Sequence, residues 1–223
     1  MKRKKYIDLS HTIQDGIITY KGLPAPIICD YLSREESRKH YGEGTEFQIG
    51  KIEMVSNTGT YIDVPFHRYA NGKDLSEIPI DKMAGLEGVT IHIDKNKKEI
   101  NEDVFYDLDI EGKAVLIHTG WDQYWNTDQY FENHPYLTEK AAQYLVDKKA
   151  ALVGIDSVNI DNTSGKDRPV HTTLLGKEIF IVEHLCNLKQ ISTENFLFYA
   201  VSPKIKDFGT FPVRAFAEIP NKL

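Results

Sequence analysis

Asn57-Thr-Gly-Thr-Tyr-Ile-Asp-Val-Pro-Phe-His67 is the stretch on which the reading of this chain turns. It crowds small, turn-forming and polar residues together directly after an alternating, strand-like run over 47–55, in which Phe47, Ile49, Ile52 and Met54 are apolar. Pro65 has no backbone N–H and argues against a helix, so Asp63 and His67 do not share a helical face. In an extended or turning segment, alternate side chains point the same way, which puts Asp63, Pro65 and His67 on the side of Asn57, Gly59 and Tyr61. A carboxylate and an imidazole in one pocket supply a metal ligand and a general base. In isolation, an Asp and a His in a loop more often make a structural hydrogen bond.

A second polar cluster changes that balance. Val170-His171-Thr172-Thr173-Leu174-Leu175 follows a polar loop that runs from Asp156 to Pro169. Further on, an apolar run over 179–182 reads as a strand and ends in Glu183, with His184 expected on the opposite face if the strand continues. Taken singly, His171 is a capped loop residue and Glu183 a surface strand end. Together with Asp63 and His67 they make a nitrogen and oxygen donor set of the kind that suits Zn²⁺, Mn²⁺ or Fe²⁺. Asp156, at the end of the apolar run 151–155, reads either as a site residue or as a turn cap.

The frame around these clusters is rich in strands. Runs over 6–9, 27–31, 89–93, 114–117, 151–155, 179–182 and 196–201 have strand length and apolar character. One helix is predicted over 139–149, with Thr138 as N-cap, Glu139 in the first turn and Lys148 and Lys149 in the last. Shorter helices are expected over 33–41 and 101–106. Many strands with few long helices predict an α/β protein with mixed sheets and not a doubly wound one.

The chain has 223 residues, enough for one large domain with a proper core, and no repeat or linker divides residues 1–223. Hydrophobic residues at 41% and charged residues at 27% describe a globular protein. A net charge of −6 speaks against nucleic acid as the main partner, since a phosphate binder presents a basic face. The basic start Met1-Lys-Arg-Lys-Lys5 is not followed by the apolar core of a signal peptide, and no run reaches membrane-span length. Cys29 and Cys186 form no CxxC and are expected as reduced, buried thiols in a cytoplasmic protein.

The 57–67 stretch resembles the signature H-x-G-T-H-x-D-x-P-x-H of the putative cyclase family, which includes kynurenine formamidases and isatin hydrolases. Gly59, Thr60, Asp63, Pro65 and His67 match it, while Asn57 and Tyr61 stand where the family has histidines. The resemblance extends along nearly the whole chain. Asp8-Leu-Ser-His11 with Gly22-Leu-Pro24 looks like the family's opening. Leu116-Ile-His-Thr-Gly-Trp-Asp122, Leu152-Val-Gly-Ile-Asp156 and Pro212-Val-Arg-Ala215 look like its later strands. It implies a swivelling β/β/α domain with mixed sheets, assembled as a homodimer or homotetramer.

In that family the two motif histidines and the aspartate hold one divalent ion. The aspartate, a later His and a later Glu hold a second, and the last motif His moves protons. The resemblance therefore implies Asp63, His171 and Glu183 as metal ligands and His67 as the catalytic acid/base, with Asn57 and Tyr61 at altered ligand positions. An Asn carbonyl is a neutral, weak ligand, and a Tyr binds well only after losing a proton with a pKa of about 10. One divalent ion per chain is expected, zinc first and manganese second. The implied activity is that of a metal-dependent amidohydrolase acting on C–N bonds other than peptide bonds. Its substrates are small amides, formamides or cyclic lactams and lactones, with N-formylkynurenine of tryptophan catabolism the first to name. Tyr20 and Trp121, with Tyr124 and Trp125, are candidates to line a pocket for a flat substrate, or else pack in the core. Two alternatives stand beside this reading: a metal-free small-molecule binding protein with a degenerate metal site, and a catalyst that uses Tyr61 as its acid/base.

Overall fold

Runs of β-branched and aliphatic residues build the centre of the molecule. A computed structural model describes residues 4–191 and 194–219. Its strands are β1 (Lys5–Asp8), β2 (Ile27–Leu32), β3 (Ile49–Glu53), β4 (Tyr61–Asp63), β5 (Ala84–His92), β6 (Glu99–Ile100), β7 (Ala114–His118), β8 (Tyr136–Leu137), β9 (Leu152–Ile155), β10 (Phe180–Glu183), β11 (Phe196–Tyr199), β12 (Thr210–Pro212) and β13 (Phe216–Ile219). The helices are α1 (Arg34–Arg38), α2 (Glu139–Asp147) and α3 (Pro169–Leu175).

A nine-stranded sheet runs in the order β1-β13-β11-β5-β7-β9-β10-β4-β12. Its middle, β5-β7-β9-β10, is parallel, and antiparallel strands flank it on both sides. β7 shows how the core follows from this order. Val115 and Ile117 face α2 and α3, packing with Val153, Ile155, Leu145 and Leu174. Ala114 and Leu116 face the other side, among Leu152, Val182, Ile62 and Phe198. A parallel strand covered on both faces reads as a continuous apolar run and not as an alternating one. The second face has no α-helix among the described elements of its core; side chains of the antiparallel flanking strands, with Leu188 of the short 3₁₀ turn Leu188–Gln190, cover it. Each fully buried aliphatic side chain there contributes about 1.5–3 kcal/mol.

The mixed α/β expectation is met, and the sheet is not doubly wound. Thr138 caps α2 as predicted, its hydroxyl accepting from Ala141 N. Other elements differ in extent. The 89–93 run is the end of the longer β5, and 101–106 holds only a 3₁₀ turn over Glu102–Phe105. The alternation over 47–55 marks no core face: β3 pairs with β2 in a hairpin off the main sheet, with Ile49 49% and Ile52 57% exposed. α3 was not anticipated; Pro169 in its first turn is a helix start, where a missing N–H costs nothing. Of the two free thiols only Cys186 is buried, whereas Cys29 is exposed on the hairpin. No helix among the described residues is long and apolar enough to cross a membrane.

A candidate metal centre and its pocket

The site is assembled by strand register. β4 lies between β10 and β12, antiparallel to both, with Tyr61 opposite Glu183 and Thr210 opposite Asp63. Residues directly opposite in a sheet share a face, so these four side chains meet while Ile62 and Val182 turn into the core behind them. The Tyr61 hydroxyl, wholly buried, donates to Glu183 Oε2 at 2.6 Å. The Thr210 hydroxyl donates to Asp63 Oδ1.

His67 arrives by a different route from the one its parity suggested. β4 ends at Asp63, and Pro65–His67 is a 3₁₀ turn that Pro65 opens instead of preventing. Gly209 makes the approach possible: a Cβ on it would lie 2.1 Å from His67 N. His67 Nδ1 is 2.7 Å from the Thr210 hydroxyl. Since that hydroxyl gives its proton to Asp63, His67 donates through Nδ1. Its Nε2 then carries the free lone pair, which is the state a general base needs.

His171 sits in the first turn of α3, fixed by a residue the sequence reading missed. Asp161 accepts from Val170 N at 2.8 Å and His171 N at 3.0 Å, and its Oδ2 takes His171 Nδ1 at 2.6 Å. This leaves His171 Nε2 facing Asp63 Oδ2 at 3.6 Å and Glu183 Oε1 at 3.7 Å. Glu183 Oε1 is itself oriented by Ile160 N at 2.6 Å. A polar loop from Asp156 to Pro169 was the only sequence signal for Asp161, and nothing in it singles out that residue.

This donor set fits a divalent cation. Asp63 Oδ2 is buried and has no hydrogen-bond partner among the described residues. Two ligands of one ion with bonds of about 2 Å stand roughly 3–4 Å apart, as these atoms do. A ligating His held through its other nitrogen by a carboxylate is the usual outer support of such a site. Asp63, His67 and His171 offer donor atoms within 4.8 Å of one another, and Glu183 joins through His171.

The electrostatics agree. Burial opposes charge on His171, but Asp161, Asp63 and Glu183 outweigh it and push its pKa up to about 10. The acids thus hold one positive charge at the place where a cation would sit. Burial raises Glu183 to about 7, while Asp63, despite its burial, is held below its usual value by His67 and His171. Burial, then Glu183 and Asp63, raise the Tyr61 pKa well above the ordinary phenol value, so Tyr61 stays a neutral donor.

A cavity of about 290 Å³ opens over this floor, lined by Tyr20, Leu23, Asn57, Tyr61, His67, Arg68, Asn159, Arg168, His171 and Glu183. Tyr20, one of the candidate wall residues, lines this cavity, and so does Tyr61. Trp121 does not line this cavity: its Nε1 donates to Tyr130 O at 2.9 Å and its ring packs on Tyr124. Trp125 stacks on His11 with ring centres 3.9 Å apart. Asp156 is a turn cap, accepting from Thr119 N and Gly120 N. His184 leaves the strand with φ of 56° and meets the Tyr130 hydroxyl at 3.0 Å.

The family model described as "Putative cyclase" matches residues 7–162. The kynurenine formamidase of Geobacillus thermodenitrificans (strain NG80-2) is 30% identical over 212 residues, which covers 94% of this chain and 95% of that protein. A solved structure of a "potential metal-dependent hydrolase with cyclase activity" superposes with a TM-score of 0.80 at 26% identity, covering 99% of this chain and 100% of the other. Isatin hydrolase A from Labrenzia aggregata shares the fold, with a TM-score of 0.81 at 22% identity over 98% of this chain and 94% of that one.

Proposed function

The chain belongs to the putative cyclase family, and from that premise we propose that it is a metal-dependent hydrolase of small amides, with Asp63, His171 and Glu183 as ligands of one divalent ion. Its bonds of choice are C–N bonds outside peptides, in formamides and cyclic lactams, with lactones beside them. N-formylkynurenine is the first named substrate to test, as the substrate that the formamidase relatives' name points to. The observation that carries the reading is the buried Asp63 Oδ2, without a hydrogen-bond partner in front of His171 Nε2.

When bound there, the ion would supply Lewis acidity toward the substrate carbonyl and a lowered pKa for water. The chain's own residues do the rest. Asp161 holds His171 in the tautomer whose Nε2 faces the centre. Ile160 N and the Tyr61 hydroxyl hold the two Glu183 oxygens apart and in place. His67, its Nδ1 proton committed to Thr210, takes a proton at Nε2 from the attacking water and returns it to the leaving nitrogen. Tyr61 is too strongly held as a neutral phenol to act as a ligand, and its hydroxyl already donates a hydrogen bond to Glu183. One ion per chain is the expectation of this reading, with zinc the first metal to test and manganese the second. The convergence of Asp63 Oδ2 and Glu183 Oε1 on His171 Nε2 favours a bound cation over a metal-free binding protein.

Assembly as a homodimer or homotetramer belongs to the same reading and is supported by the β2–β3 hairpin. Ile27, Tyr31, Ile49 and Ile52 on it are exposed, and a lone two-stranded hairpin is marginal in water. A single domain over residues 1–223 and a cytoplasmic location are further parts of it.

The test is the metal content of the purified protein by elemental mass spectrometry, with hydrolysis of an aryl formamide measured before and after chelation. About one zinc per chain, and activity lost to the chelator and restored by zinc, is the expected result. No retained ion after soaking with zinc or manganese would return the protein to the binding alternative.

A further inference from the structure

The pocket has an acidic floor and a basic mouth. Asp63, His171 and Glu183 lie buried below, while Arg68 and Arg168 line the opening. Arg68 is the residue after the 3₁₀ turn that carries His67, and its Nε donates to Thr172 Oγ1 at 3.0 Å. Arg168 precedes α3, and its Nη1 donates to the carbonyls of Gly165 at 3.0 Å and Asp167 at 2.8 Å. Arg168 is thus braced by backbone carbonyls and Arg68 tethered to Thr172, and both line the same cavity as His171. A guanidinium has five N–H donors, so each keeps several for a ligand. Neither forms an ion pair among the described residues.

The surroundings add to this charge and do not cancel it. A neighbouring hollow of about 230 Å³ shares Tyr20 and Arg168 with the pocket and brings in Lys21. The one acid that lines either hollow is Glu183, wholly buried and bonded to Tyr61 and Ile160 N. A chain of net charge −6 thus turns a cationic mouth to its candidate substrate. An ammonium group entering here meets two guanidiniums and no exposed carboxylate. A carboxylate meets two forks of N–H donors, the pairing with the best bidentate geometry. Tyr20 and Leu23 supply the apolar wall between mouth and floor.

We propose that Arg68 and Arg168 form a carboxylate subsite, and that the pocket selects small amides carrying a carboxylate and no ammonium group. The inference rests on the hydrolase reading for the reaction and on the rim alone for the anion. An aryl formamide with a ring carboxylate is the matching class, whereas the amino-acid arm of N-formylkynurenine sets an ammonium beside its carboxylate, and the cationic rim offsets part of the gain from the second by repelling the first.

Binding of benzoate and of benzamide to the purified protein, by titration calorimetry, tests the subsite without turnover. Benzoate is expected to bind at least about tenfold tighter, and Arg68→Met and Arg168→Met each to remove about tenfold of that preference while benzamide stays unchanged. Arg168 also braces the 162–167 loop, so Arg68→Met, which touches only a threonine hydroxyl, is the cleaner arm. Equal binding of the two probes in the wild type, or unchanged benzoate binding in both variants, would overturn the proposal. In turnover, 2-formamidobenzoate is expected to exceed both formanilide and N-formylkynurenine in kcat/KM, the advantage lying in KM and vanishing in Arg68→Met. A faster N-formylkynurenine would overturn the selectivity. If no formamide is hydrolysed while benzoate binding still depends on the arginines, the hydrolase reading falls and the subsite stands.

Discussion

Two groups of side chains here have the composition of a metal site. Asp63, His67 and His171 form one; His118 at the end of β7, Asp122 in the turn that follows it and Asp156 after β9 form the other, with donor atoms within 4.8 Å of one another in both. They differ in what those atoms already do. Both Asp156 oxygens are taken: Thr119 N and Oγ1 reach Oδ1 at 2.9 and 2.6 Å, and Gly120 N reaches Oδ2 at 2.8 Å. Asp122 Oδ2 accepts from Asn187 N at 3.0 Å. His118 Nδ1 lies against His92 Nδ1 at 2.7 Å. In the first group one Asp63 oxygen accepts no hydrogen bond among the described residues, and the imidazole facing it at 3.6 Å has its other nitrogen fixed from behind. A buried carboxylate filled by backbone N–H groups holds a turn; one with an unused oxygen aimed at an imidazole is prepared for a cation. Proximity of donor types does not separate the two cases, but the hydrogen-bond count at each atom does.

This contrast is breakable by substitution. The largest effect is expected from Glu183→Ala, which should take the metal from about one ion per chain to none and hydrolysis to background. Unchanged metal content, read by elemental mass spectrometry, would remove Glu183 from the ligand set. Next comes His67→Ala, which should keep the ion and lower kcat by roughly 10²–10⁴, the range for loss of a general base. Full turnover in that variant would end its role as proton carrier. The smallest effect on the metal, namely none, is expected from Asp156→Asn. That variant should instead lose about 1–3 kcal/mol of stability by urea unfolding, as the Thr119–Gly120 turn loses one of its two acceptor oxygens to an amide NH₂. A drop in metal content there would mean that the second group, and not the first, holds the ion.

Some of this was readable from residues alone. The apolar runs marked the central strands because a parallel sheet buried on both faces needs nothing but apolar side chains there. Asp63, His67, His171 and Glu183 stood out by chemistry, the first two within one motif, and the structure places His67, His171 and Glu183 in the lining of one cavity with Asp63 buried beside His171. Local pattern failed where local and tertiary signals part. The β3 alternation looks like any half-buried strand, yet its hairpin has no sheet behind it. Trp121 has the residue type for a pocket wall but finds its partner at Tyr130 O.

The sequence by itself determined which donor groups are on offer to the candidate site and that two positions of the family's signature are altered, because residue identity is local. Only the tertiary structure decided how they act. Thr210 serves His67 and Asp63, and Tyr61 serves Glu183, through the registers of β12 and β10 on β4. A slip of one residue would turn Thr210 or Tyr61 to the opposite face. Asp161 likewise becomes the partner of His171 only when the loop before α3 folds over the helix start. Register and loop closure are set by the packing of faces far apart in the chain, and no short stretch of sequence contains that information.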